Sequence, residues 1–224
     1  MIIALFSDIH GNASSLEIAL KLMEKFKPNK YIFLGDMAGY YYEQNESIKL
    51  LNSLNNLISI KGNHDDLFIK SIKDRNLLIS LDKKYGKSYS KLANSLTFES
   101  KMFFKNLLDF DKNNYYDAYH GSPNLIDEYI YPNTIVNFTL NKTFTFLGHT
   151  HYPMIRKINN KYIINPGSIG QSRDHNKGSF AIVDILNKEV EHIRFNYPKK
   201  RLKTSVIINR DRSYLLEVLK RVKN

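Results

Sequence analysis

The stretch IIALFSDIHGN, residues 2–12, begins with five apolar residues and ends in a polar cluster. A short apolar run rich in Ile, Leu and Phe predicts a buried β-strand rather than a helix. Asp8 and His10 follow this run two positions apart, so an extended backbone would direct both side chains to the same side. The strand is therefore expected to deliver a carboxylate and an imidazole to one place in the fold.

The same arrangement recurs along the chain. An apolar run leads into a polar cluster in YIFLGDMAGY, LISIKGNHDD, YDAYHGSP and FTFLGHTHYP, residues 31–40, 57–66, 116–123 and 144–153. Helix is predicted between these runs, with an apolar stripe in 14–26 and further helical stretches within 65–109. Strands that alternate with helices indicate a partly parallel sheet, whose strand ends open on one crevice.

Closely spaced strands are predicted from about residue 143 onward. They are TFTFL, KYIIN, SFAIVDI and EVEHIRFNY, and they indicate a second, more antiparallel layer. The expected fold class is α/β, two packed mixed β-sheets flanked by helices in a four-layer sandwich. Residues 1–224 are expected to form a single domain, with a basic C-terminal helix from about 205 that closes between about Ser213 and Val222.

Composition and charge limit the chemistry. The chain has no cysteine, so disulfides are excluded and any metal site must use oxygen and nitrogen ligands. The apolar start MIIALF is too short for a membrane span and carries no basic leader, which predicts a cytoplasmic protein without a membrane partner. The net charge is +11, and Lys and Arg outnumber Asp211 and Glu217 from Lys199 onward. A solvated basic face is favoured there, and a nucleic-acid contact stays open.

The polar clusters contain two carboxylates, one amide and four imidazoles that suit metal ions. These candidate ligands are Asp8, His10, Asp36, Asn63, His120, His149 and His151. Each motif alone is a weak signal. Together the seven side chains are more ligands than one ion binds, whereas two ions that share a carboxylate can bind them all. Two ions about 3.5–4 Å apart suit displacement at phosphorus. The sequence therefore predicts a dinuclear site.

The series of motifs resembles the calcineurin-like metallophosphoesterases. SDIHGN, LGDMAGY, KGNHD, HGSP and GHTH occur in the family's order, and the resemblance continues through NPGSIGQSRD to cover about residues 2–197. GDMAGYYYEQNE and HGSPNLIDEYIYP are similar to a small prokaryotic branch described as like diadenosine tetraphosphatase or protein phosphatase. The tyrosines at 40–42 stand where relatives often have Gly and Pro, which leaves substrate preference open. Their rings could stack on a substrate base, and core packing or a subunit contact are the alternatives.

The resemblance implies two divalent ions bridged by Asp36. Its residue-by-residue assignment is Asp8, His10 and His151 for one ion, and Asn63, His120 and His149 for the other. Manganese is the expected metal, with iron, zinc, nickel or cobalt as alternatives.

The resemblance also implies that His64 is not a metal ligand. The departing oxygen of an ester needs a proton, and His64 is expected to give it, with Asp65 orienting the imidazole. The rival interpretation is a third-site ligand or loop filler. Arg173 is expected to bind a phosphate oxygen of the substrate, against the alternative of a loop salt bridge with Asp174.

The expected function is that of a metal-dependent phosphoesterase. A metal-bound hydroxide would attack phosphorus in line in a phosphodiester or phosphomonoester, with His64 as general acid. A nucleotide or dinucleoside polyphosphate hydrolase, a phosphoprotein phosphatase and a nuclease are alternatives, and a non-catalytic scaffold of the same fold is a different class of answer. A homo-oligomer stays open.

Overall fold

The protein is described by a computed structural model over residues 1–209 and 214–220. The strands are β1 Ile2–Phe6, β2 Lys30–Phe33, β3 Leu57–Ser59, β4 Asp111–Lys112, β5 Tyr116–Ala118, β6 Phe144–Phe146, β7 Met154–Ile158, β8 Lys161–Asn165, β9 Lys177–Asp184 and β10 Glu189–Asn196. The helices are α1 Ala13–Met23, α2 Gln44–Asn52, α3 Asn63–Ser71, α4 Arg75–Tyr85, α5 Ser88–Ser95, α6 Phe98–Lys105, α7 Lys199–Ile208 and α8 Tyr214–Glu217.

The strands form two mixed sheets of five, which confirms the predicted α/β class. The first sheet has the order β10-β9-β1-β2-β3, with β1, β2 and β3 parallel and β9 antiparallel to β1. The second has the order β4-β5-β6-β8-β7, with β5, β6 and β8 parallel. The prediction that the late strands all build the second layer is wrong for β9 and β10. They join the first sheet because β9 pairs with β1 along its length.

Side-chain alternation along β1 explains how the layers pack. Ile3 and Leu5 belong to the core between the sheets, together with Phe144 and Phe146 of the second sheet. Ala4 and the other even-numbered residues of β1 face the opposite side of the sheet, toward a second core formed with α1 to α6. Each fully buried Ile, Leu or Phe contributes about 1.5–3 kcal/mol, so both faces of β1 hold the layers together. The outer face of the second sheet is covered by side chains of the irregular segment 119–143.

The C-terminal helix begins earlier than expected. It starts at Lys199 rather than near 205, because Leu202 and Val206 pack in a cluster with Tyr41. Residues 214–217 are helical as predicted, while Ser213 and Val222 lie outside the described residues. In the described ranges, every helix is too short or too polar to cross a membrane.

The parallel strands of both sheets end at the same edge of the sandwich. The loops that follow them are joined there by backbone hydrogen bonds, from Asp8 N to Gly35 O (2.9 Å) and from Gly148 N to His120 O (2.7 Å). Gly170 approaches the loop after β1 so closely that a Cβ at this position would lie 2.0 Å from the Ile9 carbonyl oxygen. The motifs are therefore held against one another by backbone contacts.

Candidate metal centre

All seven predicted ligands lie close together at this edge, six of them buried and Asn63 half-buried. Two groups of ligand atoms are each close enough to hold an ion, with every atom within 4.8 Å of the others in its group. The first group is Asp8, His10, Asp36 and His151, and the second is Asp36, His120 and His149. Asn63 Oδ1 lies 3.1 Å from His120 Nε2, beside the second group. Asp36 belongs to both groups, as a bridging ligand would.

Backbone carbonyls orient three of the imidazoles. His10 Nδ1 contacts Ala38 O at 2.8 Å, His120 Nδ1 contacts Leu34 O at 2.6 Å, and His151 Nδ1 contacts Gln171 O at 2.5 Å. A carbonyl oxygen only accepts, so the proton of each neutral ring is on Nδ1 and the Nε2 lone pair is free for a metal. The Nε2 atoms of the rings at 10 and 151 lie 3.2 Å apart, pointing into the same space.

Two polar atoms of the cluster are buried without a hydrogen bond from any described residue. They are Asp8 Oδ2 and His149 Nε2, while Asp8 Oδ1 and Asp36 Oδ2 face the imidazoles of His151 and His120 at 3.2 and 3.3 Å. An ionised oxygen that is buried without a hydrogen-bond partner costs several kcal/mol, and coordination to a metal ion removes that cost. The donors are oxygen and imidazole nitrogen, which suit manganese, iron, zinc, cobalt or nickel. The residues therefore fit divalent ions.

The charges of the cluster are strongly coupled. Burial opposes ionisation of Asp8, but His151 beside it holds its pKa at about 2. Burial also opposes protonation of His120, yet the carboxylate of Asp36, 3.3 Å away, raises its pKa to about 9. Burial lowers the pKa of His149 to about 3. At neutral pH without metal, the proton on His120 offsets part of the carboxylate charge, and a bound ion would take its place.

Most of the candidate ligands have a left-handed backbone. The φ angles are 56° at Asp8, 51° at His10, 65° at Asp36, 63° at His149 and 58° at His151. The expectation of an extended segment carrying residues 8 and 10 is therefore wrong. The chain turns back on itself there, and the turn rather than strand alternation brings both side chains to the cluster. This conformation costs about 1–2 kcal/mol for a residue with a Cβ.

Asp65 acts on the backbone rather than on His64, so the predicted orienting role of Asp65 is wrong. Its Oδ1 and Oδ2 accept hydrogen bonds at 2.9–3.0 Å from the amides of Asp36, Met37, Ala38 and Gly62. With both oxygens engaged by N–H donors, the carboxylate ties the loop after β2 to the start of α3. It thereby positions Asp36 and His64 together.

His64 lies beside the ligand groups. Its backbone amide donates to Asp36 Oδ1 at 2.8 Å, and its ring Nδ1 lies 2.5 Å from the hydroxyl of Tyr89. The ring centroid is 5.0 Å from that of His10. Burial lowers the pKa of His64 to about 4. Sequence reasoning missed Tyr89, which is on α5 and belongs to none of the motifs.

Arg173 lies at the rim of the cluster. Its guanidinium hydrogen-bonds the side chain of Tyr129, and its backbone amide donates to His151 O at 3.3 Å. The alternative pairing with Asp174 does not occur, because that carboxylate binds Arg194. Arg173 therefore lies near the candidate metal ligands and does not form an ion pair with Asp174.

The tyrosines at 40–42 contribute packing rather than an open wall. The ring of Tyr40 is buried against His10, with centroids 4.7 Å apart. Tyr41 is also buried, and its hydroxyl donates to Leu215 O at 2.8 Å. Of the roles left open for this run, core packing is the one that these two rings perform.

Comparisons with known proteins identify the family of the chain. The profile of the calcineurin-like phosphoesterase superfamily domain matches residues 1–188. An uncharacterised protein of Methanocaldococcus jannaschii is 30% identical over 236 residues, covering 97% of this chain and 96% of the relative. This chain therefore belongs to the calcineurin-like phosphoesterase superfamily, as its motifs predicted.

Solved structures show the same fold over nearly the whole chain. A metallophosphoesterase from Sphaerobacter thermophilus superposes with a TM-score of 0.83 at 26% identity, covering 98% of each chain. A hypothetical protein from Pyrococcus horikoshii OT3 has a TM-score of 0.80 at 21% identity, covering 100% of this chain and 99% of that one.

We expect Asp65→Asn to destabilise the metal-free protein by about 3 kcal/mol, because the new NH₂ group would face backbone N–H donors in a buried site. Asp66→Asn is the matched control. Asp66 pairs with Lys61 and Lys70 at the surface, so its loss should cost less than about 1 kcal/mol. Urea denaturation measures both. Equal stability of the two variants would rule out the backbone role of Asp65.

The number of ions bound per chain should depend on which of the two ligand groups is intact. After loading with manganese, elemental analysis should find two ions per wild-type chain and one in His149→Ala or His151→Ala. Asp36→Ala should weaken both sites, since Asp36 lies in both groups. His192→Ala serves as the control, because His192 lies on β10, belongs to neither ligand group, and its ring hydrogen-bonds Asn165 O at the end of β8. A wild-type protein that saturates with one ion would contradict the dinuclear site.

Proposed function

We propose that the protein is a two-metal phosphoesterase that hydrolyses phosphodiester or phosphomonoester bonds. The observation that carries this proposal is the pair of buried ligand groups sharing Asp36. Two ions bound there would activate water for attack and offset negative charge on the phosphoryl oxygens. Membership of the superfamily over residues 1–188 supports the same reaction class.

The chain's own residues would handle the leaving group. As water forms its bond to phosphorus, the ester P–O bond breaks and the departing oxygen takes a proton. His64 is proposed to give that proton from Nε2, because its Nδ1 is engaged by Tyr89. Its pKa of about 4 means that the ring is neutral at neutral pH without a substrate, so the acid role requires the negative charge of a bound phosphate to raise that pKa. The water's proton can then restore His64, so the cycle balances without any other reactant.

Arg173 is proposed to bind a phosphoryl oxygen away from the metals. A guanidinium presents forked donors that match two oxygens of one phosphate. Its bond to Tyr129 orients the group, and the nearby backbone contact with His151 holds it close to the first ligand group. A substrate phosphate would thus have the metal ions on one side and the guanidinium of Arg173 on the other.

Exposed aromatic rings favour a substrate that carries a nucleobase. Tyr129 packs against His149 with ring centroids 4.1 Å apart, and Tyr131 stacks on Tyr129 at 5.9 Å with an interplanar angle of 9°. Tyr129 is 46% exposed and Tyr131 38% exposed, although both are large apolar rings. Stacking of one base on such a ring contributes about 1–3 kcal/mol, which supports nucleotides or dinucleoside polyphosphates among the proposed substrates.

The other expectations remain proposals. We propose a cytoplasmic enzyme acting as one domain over residues 1–224. The basic helix has a structural task, because Arg201 pairs with Glu43 at 3.1 Å and Leu202 is buried. A solvated basic face is therefore still favoured over a nucleic-acid contact. Manganese is still the proposed metal.

Replacing His64 tests the acid role. General acid catalysis contributes about 10²–10⁴ in rate, so His64→Ala should slow an alkyl ester by a factor in that range while both ions stay bound. A nitrophenyl ester should slow less, because its leaving group needs less protonation. His120→Ala should lose metal and both activities together.

The outcomes separate the alternatives. An emptied metal site in His64→Ala, or equal losses on the two esters, would show that His64 is not the acid. Two bound ions without turnover of any ester in the wild-type protein would favour the non-catalytic scaffold.

Replacing Tyr131 tests the substrate class. Tyr131→Ala should raise KM for diadenosine tetraphosphate about tenfold, from the loss of one stacking contact, and leave KM for a glycerol-based diester without a ring unchanged. Tyr115→Ala is the control, since Tyr115 is 47% exposed just before β5. Equal KM changes for both substrates would count against a base-stacking role.

A further inference from the structure

We infer that Tyr89 is the positioning residue for His64, holding the imidazole by Nδ1 so that Nε2 is left for the leaving oxygen. This inference rests on the acid role proposed for His64. It assigns to a helix outside the motifs the task that Asp65 was expected to perform.

The contact between the two side chains is short and fully enclosed. The Tyr89 hydroxyl lies 2.5 Å from His64 Nδ1, and Tyr89 has no exposed surface. A buried phenol requires a hydrogen-bond partner, and a bond shielded from water has no competing solvent contact. The ring of His64 also packs edge-on against Tyr85, with centroids 4.7 Å apart. Packing limits where the imidazole can lie, and the hydroxyl selects which nitrogen it presents.

The loop after β2 leaves room for this pair at one glycine. Gly39 has φ +91°, and a Cβ there would lie 2.9 Å from His64 Nδ1 and 3.0 Å from the Tyr89 hydroxyl. Any side chain at 39 would thus press on both partners of the hydrogen bond. The neighbouring Ala38 amide is bound by Asp65, so the carboxylate that fixes the loop also fixes this space.

The hydroxyl can hold the imidazole throughout the proposed reaction. A phenol oxygen accepts a hydrogen bond, and Nδ1 of His64 keeps its hydrogen when the proton leaves from Nε2. The same contact therefore holds His64 before and after the proton is given. Burial raises the pKa of Tyr89 well above its usual value, so the hydroxyl stays neutral at neutral pH.

Tyr89→Phe tests this inference, because it removes the hydroxyl and keeps the ring. We expect kcat for an alkyl ester to fall about three- to tenfold, the range for one lost hydrogen bond, with KM and metal content unchanged. The nitrophenyl ester should be less affected. Tyr85→Phe is the matched control: its ring touches the same imidazole, while its hydroxyl hydrogen-bonds Lys84, and its kcat should stay at the wild-type value.

The double variant separates this inference from the proposed function. In a His64→Ala background, Tyr89→Phe should cause no further loss, because the group that it positions is gone. A Tyr89→Phe enzyme with wild-type kcat on the alkyl ester, when His64→Ala is slow, would overturn the inference and leave the acid role intact. Equal losses on both esters would also overturn it, since they would indicate a general role in folding. A fast His64→Ala enzyme would instead remove the acid role itself.

Discussion

The carboxylate of Asp65 holds the centre of the site together. It accepts hydrogen bonds from backbone amides at two different strand ends, at 2.9 Å from Asp36 and 3.0 Å from Gly62. The amides of the loop after β2 are buried, so without this acceptor they would be left unsatisfied. Asp36, the shared ligand, and His64 both lie on chain segments that Asp65 fixes. The geometry of the candidate metals and of the proposed acid therefore depends on one side chain that touches neither.

The sequence allowed the α/β class and the gathering of the candidate ligands at one edge to be predicted, because both depend on local patterns. An apolar run followed by a polar cluster identifies a strand end, and parallel strand ends share an edge. Long-range contacts were not predictable in this way. Nothing local in β9 says that it pairs with β1, and a buried tyrosine on α5 is indistinguishable from a core residue until it is found against His64, 25 positions away. Asp65 follows His64 in the chain, which made the wrong partner plausible.

Aromatic rings surround the polar side chains of the site. The buried rings of Tyr40 and Tyr89 and the half-buried ring of Tyr85 surround His64, and the exposed ring of Tyr129 lies against His149. Aromatic surroundings exclude water, and electrostatic interactions strengthen where water is absent. The same rings thus give two kinds of surface, an enclosed one that fixes the proposed acid and an open one beside the candidate metals.

The left-handed backbone at the candidate ligands bears on how such a site persists through mutation. Glycine and asparagine adopt this conformation more readily than histidine or aspartate, so substitutions that destroy a ligand would also relax the chain at that point. Stability alone therefore favours decay of the cluster. In a lineage freed from selection for metal chemistry, the fold would outlast its ligands.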